Sequence, residues 1–62
     1  MDNDSIKILD PIILLSMINM KLRDQYSSLD LLCSDLELNK ETMVSRLGEI
    51  GYNYNEKENQ FK

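Results

Sequence analysis

Between Ser28 and Gly51 the apolar residues are spaced for two short helices with almost no chain to spare between them. Leu29, Leu32, Cys33 and Leu36 fall at i, i+3, i+4 and i+7, one clean face of a helix over 28–36. Asn39 is a good N-cap for a following helix over 40–50, whose inward face is Met43, Val44, Leu47 and Ile50. Only Glu37, Leu38 and Asn39 separate the two, so Leu38 is expected to plug the corner. Gly51 stands where a helix end wants positive φ, and Tyr52 is then expected to pack back on Leu47. Inside the second helix Gly48 costs about 1 kcal/mol relative to Ala, which suggests close approach of another backbone.

Two such helices bury little unless something covers their apolar faces. Asp10-Pro11 supplies the start of a covering helix. Asp caps the first turn, and Pro fits the first helical position because its missing N–H had no partner there. This helix is expected over 11–26, with Leu14, Leu15, Ile18, Leu22 and Tyr26 in a core-facing arc of about 120°. Ile13, Met17 and Met20 form a second apolar arc, either covered by the N-terminal segment or the hairpin or left as a partner surface, and Ser16, Asn19 and Arg23 form the wet side. Tyr26-Ser27-Ser28 breaks the period, and Ser27 followed by Asp30 resembles a capping box for the next helix.

The ends are less patterned. Residues 1–9 read as an extended or disordered lead, with Ser5 to Leu9 able to form a short edge strand. Residues 52–61 read as a hairpin that puts Tyr52, Tyr54 and Phe61 on one side. Tyr54 paired with Asn59, or with Phe61, satisfies that parity; a slip by one residue does not. A lone hairpin is marginal, so its aromatic side must pack on the helices, or residues 5–9 must join it as a third strand.

The whole is one domain of 62 residues, mainly α with a small β element. A chain this short buries roughly 60% of its unfolded surface and usually needs a supplement. With one cysteine and no histidine, neither an internal disulfide nor a structural zinc site is expected, which leaves association. The same shortage removes Ser-His and Cys-His pairs, and the eleven Asp and Glu are scattered over polar faces. No catalytic, cofactor-binding or metal-binding residues are expected. The formal charge of −4 disfavours DNA or an anionic membrane as unaided partners. The first ten residues lack the basic-then-apolar order of a signal peptide, and the apolar run from Ile12 is too short to span a bilayer. A reduced cytoplasmic setting is expected.

Ser28 to Gly51 resembles the helix-turn-helix of small bacterial regulators, with Leu29, Leu32, Cys33, Leu36, Leu38, Thr42, Val44, Arg46, Leu47 and Ile50 at familiar positions. A helix before and a hairpin after make the resemblance winged-helix-like. Glu37 departs from it, because glycine is commonest at that turn position: either Glu37 is left-handed, at a cost on the order of 1 kcal/mol, or the turn has a different geometry. Over nearly its full length the chain also resembles a family of short bacterial proteins of unknown function. DPIILLS at 10–16, KLRDQYSSLD at 21–30 and GYNYNEKENQF at 51–61 carry that likeness.

Two functions compete. In the first, a non-catalytic interaction module pairs with itself or another protein through Ile13, Met17 and Met20, methionine's flexible thioether suiting an adaptable contact. In the second, a DNA-binding transcriptional regulator lays helix 40–50 in the major groove, with Lys40, Thr42, Ser45 and Arg46 as contacts and Lys57 of the wing on phosphate. Glu41, Glu49, Glu56 and Glu58 cancel the positive charge of that region, so the first reading leads.

Overall fold

The computed structural model describes residues 1–62 and contains four helices followed by a two-stranded hairpin. The helices are α1 (Asn3–Ile8), α2 (Pro11–Asp24), α3 (Leu29–Leu36) and α4 (Lys40–Gly48); the strands are β1 (Tyr54–Asn55) and β2 (Gln60–Phe61). The three expected helices and the hairpin are present in winged-helix-like order, each somewhat shorter than its sequence pattern.

The lead is a correction. Residues 3–8 are helical rather than extended or disordered, and the sheet has two strands, not three. Asp2 caps α1 by accepting from the Ser5 amide at 2.8 Å. Ile6 is fully buried while Ile8 is 83% exposed, so one apolar residue anchors the segment. The polar residues beside it make tertiary bonds. Asn3 accepts from the Asn39 amide at 2.7 Å and donates to the Glu37 carbonyl at 3.4 Å, bridging the turn between α3 and α4.

The caps of the other helices explain their bounds. Asp10 accepts from the Ile12 amide, and Asn39 from the Thr42 amide, as their sequence positions suggest. Ser28, not Ser27, caps α3 by accepting from the Leu31 amide at 3.1 Å. Helix α2 stops at Asp24 because the side-chain amide of Asn59 donates to the carbonyls of Leu22 and Tyr26 at 3.0 and 2.9 Å. Asn59 in turn accepts from the Tyr54 hydroxyl, whose oxygen accepts from the Leu29 amide. One polar chain thus joins the hairpin to the end of α2 and the start of α3.

Glu37 is left-handed, with φ of 56°, and Leu38 is buried behind it at the corner. Gly51 has φ of 84°, and the amides of Gly51 and Tyr52 donate to the carbonyls of Gly48 and Leu47, the paired bonds of a Schellman end. Tyr52 itself lies exposed rather than on the aromatic side of the hairpin. Gly48 shows no close approach: a Cβ there would meet nothing within 4 Å.

The core is a single cluster fed by every helix and by β2: Ile6, Leu14, Ile18, Leu22, Leu29, Leu32, Met43, Leu47 and Phe61, with Cys33 and Leu38 at its margin. The hairpin takes the register Tyr54↔Phe61, one of the two that parity allows, and the two rings stand 5.5 Å apart on one face. Asn19 belongs to this packing and not to a wet side. Its side chain accepts from the Phe61 amide at 2.8 Å and donates to the Phe61 carbonyl at 3.0 Å.

Candidate interaction surface on α2

Helix α2 is the central element, and its periodicity decides what it leaves uncovered. Leu14, Ile18 and Leu22 recur at i and i+4 and are buried against the core. The hairpin docks on the flank carrying Asn19. The side turned away from the core is left exposed. Ile12, Ile13 and Met20 are 56%, 52% and 51% exposed, and Met17 is half-buried at the edge.

Of the expected patch, then, Ile13 and Met20 are about half exposed and Met17 is shared with the body of the domain. Ile12 is also exposed, but it lies about 100° round the helix from Ile13, on the side of Asn19, and stands apart from the patch. Ile8, at the end of α1, is a further large exposed apolar residue beside the start of α2. Arg23 and Asp24 close the other end of α2 as a mutually neutralising pair 3.0 Å apart. The Arg23 hydrogen bond holds the Asp24 carboxyl below its ordinary value, so the pair stays charged on both sides. A shallow groove between α2 and the hairpin, lined by Leu15, Ser16, Asn19, Arg23 and Gln60, continues from Met20.

The residues of the DNA-reading alternative are not gathered into a free basic face. Lys40 donates to Asp30 at 2.7 Å, a contact that raises its pKa. Thr42 is half-buried, and only Ser45 and Lys57 are exposed without a recorded side-chain partner. Arg46 turns inward. Its Nε and Nη2 donate to the carbonyls of Ile6 and Leu9 at 3.2 and 2.5 Å, and Nη1 lies 3.3 Å from Glu49. These are carbonyls that the end of α1 leaves without helical partners, and a cation is the favourable neighbour for them. Lys62 pairs with Glu58. Of the seven Lys and Arg, only Lys7, Lys21 and Lys57 form no ion pair.

Cys33, the single thiol, is buried on the inward face of α3, and burial pushes its pKa up, away from the reactive thiolate. The Tyr26 hydroxyl donates to Asp35 at 2.5 Å, which raises the tyrosine pKa and ties the end of α2 to α3.

No helix of the chain is long and apolar enough to cross a membrane. The model of a protein family described as a domain of unknown function (DUF4250) matches residues 9–61, so the match begins just after α1. No curated protein and no solved structure matches the chain.

Proposed function

The chain belongs to the DUF4250 family, and we propose that it is a non-catalytic interaction module that pairs with a second copy of itself through the exposed apolar residues of α2. One observation carries the reading: Ile13 and Met20, two of the three residues expected to form a patch outside the core stripe, are each about half exposed. Size adds support. Only 11 of 62 residues are buried, a small core for which association is an effective supplement. A second copy is favoured over a foreign partner because a two-fold pair uses one patch twice, and isologous pairs are the commonest soluble assemblies. The lone reduced thiol, Cys33, fits action in a bacterial cytoplasm.

DNA reading gains nothing comparable. Arg46 and Lys40, its two strongest contacts, both have partners within the chain, and phosphate binding needs cations that are free. Sedimentation at micromolar concentration tests the proposal. A dimer that Met20→Glu converts to monomer is the expected result. A wild-type monomer at every concentration up to the millimolar range overturns it.

A further inference from the structure

We infer that the two copies pair with their α2 helices antiparallel, Ile13 of one against Met20 of the other, about a two-fold axis that passes between the two helices level with the step from Ser16 to Met17. This rests on the self-association reading above and adds to it an orientation and a set of contacts. At about 100° per residue, Ile13 and Met20 project within about 20° of each other on the helix. They also stand equally far from the midpoint between Ser16 and Met17. Turning a second copy end for end about that midpoint therefore sets each isoleucine opposite the second copy's methionine, giving two identical apolar contacts.

Charge selects this orientation over the parallel one. Asp10 and Lys21 lie at opposite ends of α2 but on the same flank of the patch, the flank that also carries Met17. Neither forms an ion pair within its own chain. The Asp10 carboxylate accepts from the Ile12 amide through Oδ1 and makes no other side-chain hydrogen bond. In the antiparallel pair each Asp10 comes alongside the second copy's Lys21, about two residues, or about 3 Å, out of axial alignment. In a parallel pair the two-fold axis runs along the helices and sets this flank against the opposite one, so Lys21 meets the flank that carries Arg23 and Asp10 meets no cation. Each copy carries a net charge of −4, so an orientation that places a free cation beside a carboxylate is the one that associates.

The test is disulfide trapping combined with sedimentation. Full-length Ile13→Cys and Met20→Cys proteins are prepared separately, mixed in equal amounts and oxidised with copper phenanthroline. The native Cys33 is buried, and oxidised wild type serves as the control. A mixed 13–20 disulfide in excess over both homodisulfides is expected. Lys21→Glu should weaken the dimer roughly tenfold, because two opposed pairs become repulsive. A sedimenting dimer that traps 13–13 and 20–20 disulfides instead overturns the antiparallel arrangement while leaving self-association through α2 intact. A dimer that traps none of the three, or a chain that stays monomeric, overturns both.

Discussion

Arg46, on the helix that a DNA-reading protein would use, donates through Nε to the main-chain carbonyl of Ile6 at 3.2 Å. Its second contact, to Leu9, completes a fork over the end of α1. The cation that looks most suited to a phosphate is therefore part of the fold. Arg46→Ala should cost about 1–2 kcal/mol in urea unfolding, the value of charged hydrogen bonds discounted for partial exposure. Hydrogen exchange at the Ile6 and Leu9 amides should quicken more than in α2 or α3. Lys at this position should restore little, since it lacks the planar fork. Unchanged exchange in α1 would show that Arg46 does not hold it.

Glu37 adopts φ of 56° in the turn between α3 and α4. Glycine tolerates that conformation without strain, so Glu37→Gly should raise stability by about 0.5–1 kcal/mol after the larger entropy of the unfolded glycine chain is deducted. Thermal unfolding would register this as a rise of about 4 °C in Tm. The Asn3 contact to the Glu37 carbonyl involves main chain and is unaffected by the substitution.

At Gly48 the expectation has the same sign and a different cause. Its surroundings are open and its φ is not positive, so Gly48→Ala should stabilise α4 by about 0.5–1 kcal/mol through helix propensity alone. Denaturant titration at low protein concentration is the measurement. A loss of stability would mean that a neighbour outside the single chain fills the space at Gly48.

Asn59 joins three elements by donating to Leu22 and Tyr26 and accepting from Tyr54. Asn59→Ala leaves two helix-end carbonyls and a hydroxyl without these partners and forces alanine into φ of 52°. The expected cost is about 2–3 kcal/mol, with loss of the tyrosine signal in near-ultraviolet circular dichroism. Asn59→Asp should be no better, because it turns a donor toward two carbonyls into an acceptor. Full retention of stability in either variant would contradict the assigned network.

Asp2 gives α1 a dependence on acid. The Ser5 amide, bonded to the Asp2 carboxylate, holds its pKa below the ordinary 3.8. A carboxyl whose folded pKa is depressed lends its stability above the unfolded value and loses it as pH falls through the folded one. The protection factor of the Ser5 amide, its exchange rate relative to the unfolded chain at the same pH, should therefore hold above pH 3.8 and fall as the pH drops below that value. Asp2→Asn should flatten that response.

What could be read from the sequence follows from how far apart the interacting groups lie. Helices α2, α3 and α4 show in the spacing of their leucines and in Asp10, Asn39 and Gly51, whose capping partners lie a few residues away. The turn at Glu37 and the Tyr54↔Phe61 register are local in the same sense. Helix α1 is not. Six residues cannot sustain a helix alone, and the groups that hold it, Glu37, Asn39 and Arg46, lie 34 to 40 positions away. Asn19 and Asn59 were equally opaque, because an amide does not advertise which distant backbone it will bond. The arc of Ile13, Met17 and Met20 outside the core stripe was legible, but whether the lead or the hairpin would cover it was not, since that depends on where distant segments dock. The occupation of Arg46 was not, since its sequence position indicates charge and says nothing of the partner.

The clasp between Asn19 and Phe61 bears on how this sheet meets other chains. Asn53 and Lys62 exchange main-chain bonds across the hairpin, so at the next pair the N–H and C=O of Phe61 point away from β1. Those two groups are what an incoming segment would need in order to add beside β2. The Asn19 amide already occupies both, standing in for a strand one residue long. The hairpin is thereby sealed against lateral growth on that side, the route by which small proteins with bare edges polymerise. One asparagine thus keeps this small sheet from recruiting a third strand along β2.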